Sequence, residues 1–219
     1  MCSINHSKKT IFIHIPKNGG SYIAEILGKY YGFKNYYLRR PDHAAFCGGI
    51  DKSVDKHENR IHGTLIYYKT SAYINRIMGM TQEKWNSYFI FTFTRNPYDR
   101  IVSGWNYCNR RNINFKTYLK LDAVGLINSY DYWHVFMTQT RHLIDTNGRP
   151  RVDYIGKLEN MEYDLINILR KLGFNIIHKP SIKNAKAHND YNSYYDDETR
   201  DIVMHLMKED IENPLFDYK

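Results

Sequence analysis

The chain has 219 residues, a net charge of +8, and 42% hydrophobic against 25% charged residues. That balance excludes a disordered or fibrous chain, and the length suits one domain, spanning 1–219, with a full core. The basic excess favours a polyanionic partner (nucleic acid, anionic membrane, acidic glycan or nucleotide) without choosing among them.

Three cysteines, Cys2, Cys47 and Cys108, make neither a disulfide framework nor a CxxC zinc pair. The start, "MCSINHSKKTIFI", has no apolar stretch of leader type, and no apolar run in the chain is long enough to cross a bilayer. A cytoplasmic location is therefore expected, with the "NHS" sequon at Asn5 left unglycosylated.

In chain order, "KKTIFIHI" reads as the first strand and "GSYIAEILGKYYGF" as the helix after it. Between them lies "HIPKNGGSY", His14 to Tyr22. A strand, a glycine-containing turn and a helix start together make an anion site. The first helical N–H groups point outward, and the helix dipole adds positive charge. Gly19 and Gly20 let the backbone approach oxygens closely. Lys17 brings a full charge, and Ser21 caps the helix or donates to the anion. This is no Walker A loop, because Lys17 precedes the glycines. The other reading is a Gly-Gly turn beside a solvated lysine.

From Lys34 to Arg60 the pattern predicts loops and short strands. "TSAYINRIMGM" reads as a helix, and "TQEKW" as the start of another turn. "SYFIFTFTR" is continuously apolar and β-branched, as in a strand covered on both faces. "NPYDRIVSGWNYCNRR" follows as a helix with Pro97 in its first turn, where the missing N–H costs nothing. Arg95 closes that strand, at the edge where α/β proteins take ligands, and its planar fork suits phosphate. Ser103 lies about two helical turns further on, able to grip the same group. Arg100 is expected to be structural, paired with Asp99 or another acid.

Phe115 to Leu143 reads as helical with aromatic faces. Trp105, Tyr132, Trp133 and Phe136 suit either an acceptor cleft or core packing. "VDYIGK" offers a short strand. "MEYDLINILRKLGF" is an amphipathic helix burying Met161, Leu165, Ile168, Leu169 and Leu172, ended by Gly173. "DDETRDIVMHLMKEDI" is a final helix opening on acids. Strands alternating with helices predict an α/β, single-domain, P-loop-like parallel sheet flanked by helices.

Taken together, "HIPKNGGS" (His14 to Ser21) and "FTRNPYDRIVS" (Phe93 to Ser103) resemble the sulfotransferases that use 3′-phosphoadenosine 5′-phosphosulfate (PAPS). The similarity is greatest to the branch with the carbohydrate sulfotransferases. It continues through "HVFMTQTRHL", "VDYIGKLENMEYDL" and the C-terminal "SYYDDETRDIVMHLMKEDIENPLFDY", so it runs nearly end to end. The resemblance implies the sulfotransferase fold and PAPS as donor, with the bisphosphate PAP as product and no metal. It places Lys17 at the oxygen bridging phosphate and sulfate. Asn18, Gly19, Gly20, Ser21 and Tyr22 go to the 5′-phosphate, and Arg95 with Ser103 to the 3′-phosphate. It implies a hydroxyl-bearing acceptor, with a glycan expected, and no nucleic-acid partner.

Relatives carry a histidine before the second motif strand, which makes His62 in "RIHGTLIYY" the expected base. Where relatives have H-x-H, this chain has Thr64 at the second place. His134 and His57 are the alternatives. Asn184 and Lys186 of "IKNAKAH" read as closing over the nucleotide or as a solvated loop. Two other functions fit less of the pattern. One is a P-loop kinase or nucleotide hydrolase, which lacks its lysine and magnesium acid here. The other is a non-catalytic basic module for polyanions.

Overall fold

The computed structural model describes residues 1–36, 38–39, 60–61, 65–70, 72–108, 112–123, 131–145, 147–178 and 190–216. "TIFI" becomes a central strand because both of its faces are covered. Ile11 and Ile13 point to one core, and Phe12 to another. The strands are β1 (Cys2–Asn5), β2 (Thr10–Ile13), β3 (Lys34–Tyr36), β4 (Leu38–Arg39), β5 (Arg60–Ile61), β6 (Phe89–Thr94) and β7 (Tyr154–Lys157). Five of them form one sheet in the order β3-β1-β2-β6-β7. β4 and β5 pair separately and antiparallel.

β2, β6 and β7 are mutually parallel, whereas β1 runs antiparallel to both β2 and β3. The sheet is thus mixed around a parallel core, which amends the all-parallel expectation by one strand. The cause is local. The Asn5 side-chain oxygen accepts hydrogen bonds from Ser7 Oγ (2.8 Å) and the Lys8 N–H (2.9 Å). Such an Asx-type turn reverses the chain into β2 within four residues. The Asn5 amide nitrogen donates to the Tyr31 carbonyl at 2.8 Å, so the sequon side chain is buried structural material.

The helices are α1 (Gly20–Tyr31), α2 (Leu65–Thr70), α3 (Ala72–Met78), α4 (Gln82–Ser87), α5 (Pro97–Cys108), α6 (Phe115–Ala123), α7 (Gln139–Leu143), α8 (Met161–Lys171), α9 (Asp197–Leu206) and α10 (Lys208–Ile211). On one sheet face, Leu65, Tyr68, Met78, Trp85 and Leu143 pack with Ile11, Ile13 and Ile90. On the other, Ile23 and Leu27 of α1 and Leu165 and Ile168 of α8 pack with Phe12, Phe91 and Phe93. Helix α8 buries the stripe its sequence predicts, with Leu172 at its edge and Gly173 left-handed at φ 70°. Pro97 is the first residue of α5.

A third core consists of helical residues: Ile101 and Val102 of α5, Tyr118 and Leu119 of α6, Val203, and Val135 and Phe136. The last two belong to a π-helical turn, Tyr132–Phe136, where a continuous helix is expected from the sequence. There the wider turn sends the Val135 carbonyl sideways to Arg100 Nη1, 2.9 Å away. Trp105 and Tyr132, both partly buried, pack against this core, and Phe136 lies within it. The final helix divides at Met207 into α9 and α10. Asp196 and Thr199 form a capping box at the start of α9.

The break in the final helix lets Asp210 turn inward. Its carboxylate accepts from the Gln139 N–H (2.7 Å), the Thr140 N–H (2.9 Å) and the Thr140 hydroxyl (3.0 Å), capping α7 from a distant part of the chain. Burial raises its pKa, opposed by Arg100 and these donors. Asp210→Ala strands buried donors in a site that water does not reach. We expect it to cost about 3 kcal/mol in urea unfolding; a loss within experimental error would mean α7 holds without its cap.

Candidate active site

β2 and β6 pair in parallel register, Ile13 opposite Thr92, so both chains leave the sheet on the same edge. From β2 the chain turns through residues 14–19 into α1. From β6 it passes Arg95 and Asn96 into α5. These are the two segments the sequence singles out, and they meet. Arg95 Nη1 donates to the Lys17 carbonyl at 3.2 Å.

Within the first loop, alternate residues face in and out. Asn18 and Gly20 are buried, Gly19 and Ser21 are exposed, and Lys17 is half-buried. Lys17 and Gly19 both have φ 69°. For a lysine that left-handed conformation costs on the order of 1 kcal/mol and persists only when its surroundings hold it. Two arginines do so. Arg100 Nε donates to the Pro16 carbonyl (3.1 Å) and Arg95 to the Lys17 carbonyl, so both peptide planes flanking the Lys17 Cα are pinned. At Gly20 a side chain would collide with the His14 ring 2.0 Å away, which fixes a glycine there. Gly19, which precedes α1, makes no side-chain cap, and the Tyr22 and Ile23 N–H groups fold back onto its carbonyl at 3.1 and 3.2 Å.

The Lys17 ammonium lies 3.8 Å from the centroid of the Tyr107 ring. Desolvation lowers its pKa to about 8, with Arg95 and Arg100 pushing the same way and Cys108 opposing. Among the described residues no carboxylate pairs with it. A partly buried lysine facing a ring and two arginines is a cation set for an anionic guest.

Arg95 is gripped in turn. Its Nε and Nη2 donate to the two Asp99 oxygens, each at 2.8 Å, and little of the pair is exposed. Asp99 therefore serves Arg95, where the sequence offered it or another acid to Arg100. Arg100 is fully buried and binds carbonyls instead. Ser103, half-buried on α5, lies one turn before Tyr107 on the same helix face. Tyr22 is half-buried on α1.

The Asn18 side chain points inward, away from any ligand. Its Nδ2 donates to the Phe93 carbonyl (2.9 Å) and to Gln139 Oε1 (2.7 Å), which leaves its backbone amide on the loop side. The histidines divide. His62 and His57 lie outside the described residues, as do Asn184 and Lys186. His134 is buried in the π-turn, near His14 and His142 beneath the loop. Burial, the main cause, and nearby positive groups (the N-terminus for both, Arg100 for His142) hold His14 and His142 well below the usual histidine pKa, so both are neutral at pH 7.

Sequence reading missed three contributors. Tyr107 is legible afterwards as the i+4 partner of Ser103. Gln139 sits between two threonines in the family-like segment "HVFMTQTRHL", whose resemblance gave it no assigned role. Glu159 accepts the Asn96 N–H at 2.7 Å, tying the end of β7 to that of β6. No group of three or more His, Cys, Asp or Glu suited to a metal occurs among the described residues. No helix among them is long and apolar enough to cross a membrane.

The Lys17 shift has a signed consequence. The folded pKa lies below the unfolded value of 10.5, so charged Lys17 disfavours the fold below pH 8. Stability should rise between pH 8 and 10.5 as the folded form sheds its proton first. Lys17→Met should remove that rise, in denaturant titrations at stepped pH. Parallel curves for the two proteins would show that Lys17 is not desolvated.

A profile of the Sulfotransferase family matches residues 2–219. An uncharacterized protein of Archaeoglobus fulgidus is 32% identical over 92 residues, covering 40% of this chain and 70% of that protein. Mouse sulfotransferase SULT7A1, solved in complex with PAP, superposes with a TM-score of 0.52 at 16% identity, covering 95% of this chain and 88% of that one. A sulfotransferase from Alicyclobacillus acidocaldarius aligns over 93% of this chain and 96% of its own, with a TM-score of 0.46 and 16% identity. The chain belongs to the sulfotransferase family, whose members transfer sulfuryl groups.

Proposed function

We propose that this sulfotransferase moves the sulfuryl group of PAPS to an acceptor hydroxyl, with a carbohydrate as acceptor. One observation carries the reading: Lys17 and Arg95 stand on adjoining strand ends, joined by the bond from Arg95 Nη1 to the Lys17 carbonyl. A donor with phosphate on both sides of its ribose needs two cationic grips on one rim.

The residues present suit that guest. The uncapped α1 start and the exposed edge of Gly19 and Ser21 offer amides and a hydroxyl to the 5′-phosphate, with Tyr22 beside them. Arg95, oriented by Asp99, and Ser103 serve the 3′-phosphate. In the transfer, the acceptor oxygen forms a bond to sulfur as the bond from sulfur to the phosphate oxygen breaks. Negative charge grows on that leaving oxygen, and PAP departs with it. Lys17 supplies the opposing charge there, where a partly desolvated ammonium acts strongly. The acceptor proton goes to a base, assigned to His62. The carbohydrate acceptor follows from the likeness to carbohydrate sulfotransferases in motif and from the basic balance of the chain.

Calorimetry with PAP in the presence of a chelator tests the donor. We expect saturable binding without divalent metal. Binding of ATP that depends on magnesium, with none of PAP, would favour the kinase reading instead. Lys17→Ala should lower the transfer rate by about 10²–10³-fold, the scale of one lost transition-state donor. His62→Ala should abolish transfer while PAP still binds. Full activity in that variant would remove His62 as the base.

A further inference from the structure

The geometry points to Gln139 as a positioning residue that locks the two phosphate grips into one rigid unit. It is fully buried, and its carboxamide touches both loops. Oε1 accepts from Asn18 Nδ2 (2.7 Å) and from the Arg95 N–H (3.0 Å), and Nε2 donates to the Arg95 carbonyl (2.9 Å). The side chain thus pairs with the Arg95 backbone as a neighbouring strand would, and holds the first loop through Asn18. Its own backbone is fixed by Asp210 through the Gln139 N–H. Asn18 also binds the Phe93 carbonyl, two residues before Arg95. The first grip therefore cannot move against the second without breaking this set.

The consequence concerns binding. A ligand with two phosphates gains most when both sites are already spaced to receive it, because no ordering remains to be done on binding. Gln139 touches neither phosphate on this account; it sets the distance between their sites. A glutamate of the same shape keeps the two acceptor bonds but faces the Arg95 carbonyl with an oxygen, so only the amide completes the pairing.

The inference rests on the donor reading above, and two measurements keep the two separable. The first compares adenosine, adenosine 5′-monophosphate, adenosine 3′-monophosphate and PAP by calorimetry. In the wild type, PAP should bind at least tenfold tighter than the two single-phosphate increments combined would give. In Gln139→Ala that excess should fall to about onefold, with each monophosphate within about threefold of wild type. Gln139→Glu should be intermediate. An unchanged excess, or equal weakening of all ligands, would overturn the inference.

The second measurement needs no nucleotide. NMR titration of 13C-methylated lysines should show the Lys17 midpoint rising from near 8 toward 10.5 in Gln139→Ala, as the freed loop becomes wetter. An unmoved midpoint counts against the brace even if no nucleotide binds, in which case the donor reading also falls. Should Gln139→Ala not fold, Asn18→Ala cuts the same link from the loop side and must give both results.

Discussion

Residues Thr10–Ile13 lie alongside Phe89–Thr92 in parallel, and this register fixes where the two candidate anion segments meet. Parallel neighbours end on the same edge, so the loop after β2 and the turn after β6 rise together. The pairing is secured from both faces, by Ile11, Ile13 and Ile90 on one and Phe12, Phe91 and Phe93 on the other. A slip of one residue would exchange those faces and put every one of these side chains in the wrong core. The hydrophobic pattern thus sets the spacing between Lys17 and Arg95 before any polar contact forms.

The polar layer then converts proximity into geometry. Lys17 occupies an unfavourable backbone conformation because Arg95 and Arg100 hold the carbonyls on either side of it. Asp99 orients Arg95, Gln139 secures its backbone, and Asp210 secures Gln139. The Arg95 guanidinium and the Gln139 amide both donate to acceptors inside this set, as a water-poor interior favours. Charge is handled unevenly. Arg95 has its carboxylate, and Arg100 has carbonyls with Asp210 nearby. Among the described residues, Lys17 faces a ring, two repelling arginines and a thiol. On the proposed reading, the loop lysine is the cation that the substrate would neutralise.

Much of this was legible in the sequence. The first loop and the Arg95 segment stand out because glycines, a lysine and an arginine interrupt apolar strands where α/β proteins bind ligands. Helix α8 is written in its apolar spacing. β1 was missed because four residues with no alternation carry little signal, and its turn depends on the side chain of Asn5. The π-turn was hidden because its aromatics match an ordinary helix. The partner of Asp99 was left open: spacing places it one turn from Arg95 and next to Arg100, and the structure shows that it holds Arg95. Gln139 and Asp210 were invisible as partners, since 71 residues separate them and no local rule relates them.

The central claim is that one nucleotide spans both grips. A crystal structure of the protein with PAP tests it most directly. The 5′-phosphate should lie within hydrogen-bonding distance of the Gly19–Ser21 amides and Lys17, and the 3′-phosphate against Arg95 and Ser103 of the same molecule. Phosphates found away from this rim, or Lys17 and Arg95 engaged by different ligands, would contradict the account.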